Sequence, residues 1–499
     1  MGLARELADL KIPQIMVMRE PVPDKVAQEF LKYFLTAYAG GESFYLAAKE
    51  ARFKLQWIED KYPCASWLPV IVQNPGKITP SWQQLIEQKE ITLTNATAPK
   101  LKIIQVLASS AIATVAVIGL RTLGIFQGRE LQAFDYLSKT HPQEESDRRI
   151  LLVGADEKDI SSTQYGFPLP DPILAKLIDK LQQHQPAVIG VDIFRDRPVV
   201  GSNSEDFASM SNYWNQSNVV PICLGNSLDN SIDPPEKSPP EQVGFADIFD
   251  DSQLAHSLDD NVRRYLLSRS PNPLTQTTKC KTDYSFAWQL AYRYFQSKDI
   301  PVTTSEKNWQ FGDRIVTRLV SGSGGYQKLD NRGNQLLISY RRTPQIAQQV
   351  NVRDILEDSG AFDPSWIKDR VVLIGVTAKS VPDTHDTALG EIRGLHLHAH
   401  VVSQLISAVK SDRPLIWWLP FWGDWLWIGS CAAMGGLVIW LAGNNLYRIV
   451  GIGSCLIVVS GVCWLVLSQG GWLAWIPGIA AIAFSAGSLQ IYQFIQAKN

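Results

Sequence analysis

The sequence predicts an α/β protein held in a membrane. It reads as a domain with a mostly parallel sheet, four apolar spans (one before the domain and three after), and a partial α/β fragment at the N-terminus. Three observations predict this. Between Pro414 and Ala497 the only charged side chains are Asp424 and Arg448, a pattern foreign to water-soluble domains. Arg148 to Phe194 reads strand, helix, strand, the order of a βαβ unit. Ile12 to about residue 80 reads strand, helix, helix, strand, too little to enclose its own core.

Composition narrows the classes. The net charge of −2, from 47 basic and 49 acidic residues, gives no global field for nucleic acid. Charged residues are 19% of the 499, below the roughly 25% of ordinary soluble chains, and the 16 Trp are many. The mean hydropathy of −0.06 averages two unlike halves. Charges scattered through the first twenty residues, with no continuous apolar run, argue against a cleaved signal peptide. Six Cys, none in CxxC spacing, predict neither a disulfide-stapled scaffold nor a thiolate metal site.

The spans come first because they divide the chain. Ile103 to Leu120 is free of charge and bracketed by Lys100, Lys102 and Arg121. A bilayer core of about 30 Å needs about 20 residues per helix, so the C-terminal tract holds three more spans. The spans are assigned to 101–121, 421–442, 448–468 and 472–495. Trp417, Trp418, Trp422, Trp425 and Trp427, with Trp472 and Trp475, form an aromatic belt. Lys100, Lys102, Arg448 and Lys498 fall on one side, so both termini are expected in the cytoplasm of a plasma-membrane protein and residues 125–412 outside it. Asp424 is then expected as a hydrated carboxylate at the outer interface.

In the N-terminal fragment, IPQIMVM and WLPVIVQN read as strands buried on both faces, as in parallel sheets. Between them, Val26, Phe30, Tyr33 and Phe34 have helical spacing, and a second helix covers SFYLAAKEARFKLQWI. "IPQIMVMREPVPDKVAQEFLKYFLTAYAGGESFYLAAKEARFKLQ" with "YPCASWLPVIVQNP" resembles the C-terminal end of a CHAT domain, a caspase-like α/β fold. Residues 1–80 would be that end. The family's catalytic His and Cys lie upstream of the match, Cys64 is not its nucleophile position, and the fragment contains no His. The expectation is therefore no enzyme activity.

In the domain, strands are expected at Arg148–Asp159, Pro186–Phe194, Val219–Cys223, Gln242–Ile248, Val262–Ser268, Leu336–Tyr340 and Arg370–Val376. Helices are expected at Asp171–Gln185, Tyr284–Phe295 and His398–Val409, and loops at Asn226–Glu241 and Ser270–Thr282. "ILLVGADEKD…YGFPLPDPILAKLIDKLQQHQPAVIGVDIF", "VGFADIFDD…LDDNVRRYLLS", "LLISYRR" and "RVVLIGVTAKSVPDTHDTALG…RGLHLHAH" resemble a CHASE2 domain, the bacterial extracytoplasmic sensory module. That family also has one span before the domain and three after it. Asp171 departs from the pattern, where many members carry Arg. Relatives usually continue into a kinase or cyclase, whereas this sequence stops at Asn499, so the output is expected from a partner.

Candidate ligand-binding residues are Asp156, Glu157, Asp192, Asp383, His385, Asp386 and His398. Loops at the carboxyl ends of parallel strands are where α/β sheets bind ligands, and Asp156, Glu157 and Asp192 end strands on that edge. DTHD, Asp383 to Asp386, follows the strand RVVLIGV; a binding loop and a loop held by Asx turns fit it equally. His396, His398 and His400 share a face if extended, which suits a metal. As the start of a helix on the sheet they need only hydrogen bonds, and that reading is preferred. Asp259, Asp260, Arg263 and Arg264 read as a surface turn with local ion pairs. Cys223 in a strand and Cys280 in a loop are expected unpaired.

These features imply a membrane-anchored sensor in the lipid bilayer, without cofactor or metal, detecting an unknown small-molecule or environmental signal. The competing expectation is a membrane subunit completing a split caspase-like peptidase. Small residues at Ala108, Ser109, Ala111 and Ala113, and at Gly478, Ala481, Ser485, Gly487 and Ser488, with the exposed N-terminal half-sheet, lead to the expectation of a homodimer or a CHAT-type partner chain, and no nucleic acid.

Overall fold

A computed structural model describes residues 14–73, 81–83, 103–163, 165–199, 204–225, 231–269, 280–304, 308–330, 333–357, 360, 362–410 and 413–496. The start of the first expected strand, parts of the two expected loops, and the basic flanks Lys100, Lys102 and Lys498 lie outside the described residues. The chain forms two compact units, residues 1–100 with 497–499, and residues 101–496.

In the first unit, β1 (Gln14–Met18) and β2 (Pro69–Gln73) flank α1 (Asp24–Ala39) and α2 (Phe44–Leu55). Val26, Phe30, Phe34, Ala37 and Tyr38 form the buried stripe of α1. They meet Ala47, Ala48, Ala51 and Leu55 of α2, whose small side chains let the helices approach closely. Ser43 caps α2, its hydroxyl accepting from Leu46 N at 3.3 Å. The strands differ from the sequence expectation. They pair antiparallel, with Met16 opposite Ile71, and only one face of the pair packs on the helices. Continuous apolar runs overstated their burial, because Val17, Val70 and Val72 keep partial solvent contact.

The second unit opens with α3 (Ile103–Thr122) and α4 (Gln127–Lys139). Then come β3 (Ile150–Ala155), α5 (Glu157–Ser161), α6 (Asp171–Gln182), β4 (Val188–Asp192), β5 (Val219–Cys223), β6 (Gly244–Phe245), β7 (Arg264–Arg269) and α7 (Phe286–Gln296). A meander of β8 (Val302–Thr304), β9 (Asn308–Phe311) and β10 (Arg314–Thr317) precedes β11 (Gly333–Leu337), β12 (Gln348–Asn351) and α8 (Val352–Leu356). β13 (Val371–Val376), the hairpin β14 (Thr384–Thr387) and β15 (Gly390–Arg393), and α9 (Gly394–Lys410) complete the domain.

Six strands form a parallel sheet in the order β12-β3-β13-β4-β5-β6. Alternation along β3 explains its all-apolar sequence. Ile150 and Leu152 face α7 and α9, whereas Leu151 and Val153 face α6 and α8. Gly190 lets α7 come close to β4, since a Cβ there would lie 2.7 Å from Cζ of Phe286. β7 stands outside this sheet, antiparallel to β11. Cys223 and Cys280 form a disulfide with Cα atoms 5.6 Å apart, contrary to the unpaired expectation. The chain brings Cys280 back beside β5, a return that residue spacing alone does not encode.

Among the described residues four helices are long and apolar enough to cross a membrane: α3, α10 (Phe421–Leu441), α11 (Asn445–Ser468) and α12 (Trp475–Gln496). The short strands β16 (Trp417–Trp418) and β17 (Gly471–Trp472) pair beside them. Ser109, Ala113, Gly478, Ala481 and Ser485 do their packing inside the chain, whereas Ala108 and Ala111 stay exposed and Gly487 faces open space. A Cβ on Gly435 would meet Ile482 O at 2.5 Å, and Ser109 and Ser488 hydroxyls lie 2.6 Å apart. Ala481 and Ser485 are fully buried. α3, α10 and α12 thus pack on one another, and Ile457, Val458 and Leu465 of α11 remain exposed.

Candidate functional site

A cavity of about 540 Å³ opens at the carboxyl ends of β13, β4, β5 and β6. Its floor carries Asp192, the last residue of β4, and His398 from the first turns of α9. Asp383 and His385 come from the segment after β13, and Phe167, Phe194, Ile248 and Val381 supply apolar wall. Parallel strands end with their side chains diverging, and the connections that follow enclose the crevice.

Of the residues singled out by sequence, four meet here: Asp192, Asp383, His385 and His398. DTHD is not a loop. Thr384, His385 and Asp386 lie in β14, paired antiparallel with β15, which sends His385 to the cavity and leaves Asp386 exposed. Asp156 and Glu157 are engaged elsewhere. Asp156 caps α5 and takes a bidentate pair from Arg353 at 2.5 and 2.7 Å; that pairing, led by the Arg353 hydrogen bond, holds its carboxyl down at about 2. Glu157 accepts from the backbone and hydroxyl of Ser380 at 2.8 and 2.9 Å.

The electrostatics inside the cavity follow from burial. Among the described residues no hydrogen bond or ion pair reaches the Asp192 carboxyl; burial, and secondarily the charge of Asp383, push it up to about 8. His398 is 2% exposed, and burial drives it down to about 4, so the ring is neutral. Its Nδ1 lies 2.8 Å from the Tyr265 hydroxyl, which itself accepts from Ala287 N. In the tautomer where that hydroxyl gives its proton to Nδ1, the imidazole proton sits on Nε2. The three histidines of HLHAH serve three separate bonds: His396 to Gln349, His398 to Tyr265, and His400 Nδ1 accepting from Arg341 N. Among the described residues no group of three His, Cys, Asp or Glu side chains is placed to hold a metal ion.

A second polar cluster joins the domain to the apolar helices, and sequence reading missed most of it. Arg263 and Arg264 are buried, not a surface turn. Arg263 reaches Asp135 at 2.7 Å, Asp251 at 3.0 Å and Asp259 at 2.6 Å, and Arg264 reaches Asp251 at 2.8 Å and Asp330 at 3.1 Å. The Tyr326 hydroxyl also donates to Asp251 at 2.7 Å. Asp135 lies on α4, and one turn earlier on that helix Glu130 accepts from Trp472 Nε1, Trp475 N and Ile476 N at 3.2, 3.0 and 2.8 Å. Its carboxylate thus sits at the N-terminus of α12, where backbone donors lack helical partners. Asp424 is not a hydrated interfacial group: it is buried and pairs with Arg121 at 2.8 Å, and Arg121 also donates to Gly324 O. Gly325 leaves room for the Trp472 ring, which a Cβ would approach to 2.5 Å. Asp171, the departure noted in sequence, is fully buried with Arg195 at 3.1 Å.

No curated protein and no solved structure matches the chain. The family model of the CHASE2 domain matches residues 112–437, which run from within α3 to the far turns of α10 and include the cavity and the Arg263–Arg264 cluster, but not Trp472, Trp475 and Ile476. With more than half of its 499 residues matched, the chain belongs to the CHASE2 domain family of sensory extracellular domains.

Proposed function

We propose that this chain is a membrane-anchored sensor that binds a small molecule in the cavity at the carboxyl edge of its sheet and relays occupancy to the spans. The observation that carries the reading is the Asp192 carboxyl, which ends β4 in a cavity of about 540 Å³ without a partner among the described residues. Among the described residues the lining contains no Ser, Thr, Cys or Lys, which favours binding over covalent chemistry. A continuous set of contacts supports the relay. Asp386 O, next to His385, accepts from Val262 N at 2.8 Å; Arg263 follows, then Asp135 and Glu130 on α4, then the first turn of α12. In this reading the domain lies outside the cytoplasm and both termini inside, in the plasma membrane. The output passes to a second copy or a CHAT-type chain docked on the first unit, where Tyr45, Phe53, Trp57 and Trp67 are each more than 60% exposed.

The test reads the spans while the cavity is altered. With the native span cysteines replaced by Ala, a Ser109→Cys/Ser488→Cys pair is cross-linked oxidatively in membranes, with and without Ala246→Trp filling the cavity. A change in cross-linking rate of about fivefold supports the relay, and equal rates with the domain still folded overturn it. Phosphatase inserted at Ser238 should be active and phosphatase fused after Asn499 inactive; the reverse pattern would overturn the orientation.

A further inference from the structure

The cavity can be assigned a ligand class from what its walls lack. Among the described residues three carboxylates line it, Asp192, Asp247 and Asp383, and no Lys or Arg does. Asp247 is already answered by Arg269, which pairs with it from outside the lining and lies over the Phe245 ring. Asp383 is 3.7 Å from His385 Nε2 and crowds the start of α9, where a Cβ on Gly394 would stand 2.7 Å from its Oδ1. Asp192 has no countercharge among the described residues, and its nearest charged neighbour is another carboxylate. An entering cation would be the countercharge that lets Asp192 ionise.

The second, independent observation is His398. The residue is almost wholly removed from solvent, its Nδ1 is occupied by Tyr265, and Nε2, which carries the proton in that tautomer, has no partner among the described residues. It lines the cavity, so an N–H donor is left for whatever enters.

The remaining wall is apolar: Phe167, Pro168, Phe194, Ile248, Val376 and Val381. A bare or hydrated metal ion would leave that surface wet, and the carboxylates do not converge as a metal set. A cavity of about 540 Å³ lies within the roughly 300–1,000 Å³ range of small-molecule sites. We propose, resting on the reading of this cavity as the sensor's ligand site, that it takes a protonated organic amine with an aromatic or branched apolar body. The ammonium lies between Asp192 and Asp383, and the body packs on Phe167 and Phe194. An acceptor atom, where the amine carries one, meets His398 Nε2–H.

The test uses the full chain in lipid nanodiscs and isothermal titration calorimetry with four probes of matched size or charge: phenethylamine, 2-phenylethanol, phenylacetate and calcium chloride. Phenethylamine is expected to bind, and Asp192→Asn to weaken it about tenfold or more, with the other three silent. Ala246→Trp, which fills the cavity and keeps every charge, should abolish phenethylamine binding and guards against a folding artefact in the Asn variant. Binding of 2-phenylethanol or phenylacetate as tight as the amine, lost in Ala246→Trp, would overturn the amine class and leave the cavity as the sensor site. Calcium binding displaced by Asp192→Asn would likewise overturn the amine class. Binding of none of the four would overturn the class and the site together.

Discussion

Two sets of buried ionisable groups in the second unit, at the cavity and at the junction with the apolar helices, are completed to opposite degrees. At the junction Arg263 alone meets three carboxylates, Asp251 is shared among Arg263, Arg264 and Tyr326, and Glu130 accepts three donors. At the cavity Asp192 meets none among the described residues, and His398 keeps one ring nitrogen for a ligand. Burial cost is similar in kind at both, since a charge removed from water must be repaid by geometry. The junction repays it within the chain. The cavity does not: Asp192 keeps its proton instead, which a site waiting for a cation can tolerate and a structural joint cannot.

The contrast is most easily broken at the junction. Arg263→Met keeps much of the side-chain volume but strands Asp135 and Asp251 without their cation, and should destabilise the folded domain by about 3–5 kcal/mol. Thermal unfolding in nanodiscs reads this; a loss under about 1 kcal/mol would mean the carboxylates are hydrated and the joint is not closed. A smaller effect is expected near the cavity's rim. The Cys223–Cys280 bridge closes a loop with a sequence separation of 57, so Cys280→Ser should cost about 2–4 kcal/mol. The parent chain should also shift its gel mobility on reduction and the variant should not. Identical mobility in both would show the thiols unpaired.

What was legible in the sequence was what local pattern encodes. β3, β4 and β13 are continuous apolar runs because both faces are covered, and the four apolar helices found among the described residues stand out by length and lack of charge. Asp192, Asp383, His385 and His398 could be proposed because strand ends are visible in sequence. The junction was illegible for the converse reason. Arg263 next to Arg264 and Asp259 looks like a solvated turn until Asp135, 128 residues away, is brought beside it. Glu130 lies in a helix polar enough to pass for linker, and only folding places it at the first turn of α12. The tyrosine that meets His398 Nδ1 is 133 residues distant. The signal that could have found the junction was two adjacent Arg opening a strand, β7, whose following residues are apolar.

The smallest effect tests the cavity itself, through pH. The groups around Asp192 are Asp383 and His385 from the segment after β13, neutral His398 from α9, and Asp247, which Arg269 neutralises. Its folded carboxyl titrates near 8, above the roughly 3.9 of an unfolded Asp, because burial and Asp383 oppose its charge. Between those values the folded chain holds a proton that the unfolded chain has released. Its contribution to stability is therefore complete below about pH 4 and is lost as pH rises towards 8. A carboxamide cannot ionise, so Asp192→Asn carries no such loss. The variant should gain on the parent as pH rises from 5 to 8, by on the order of 2 kcal/mol once partial solvent contact is allowed for. Groups common to both proteins, Glu130 and the junction included, cancel in the difference. Parallel melting curves across that window, measured without amine, check it. A constant difference would mean that Asp192 is ionised throughout and has a countercharge, which would erase the contrast with the junction.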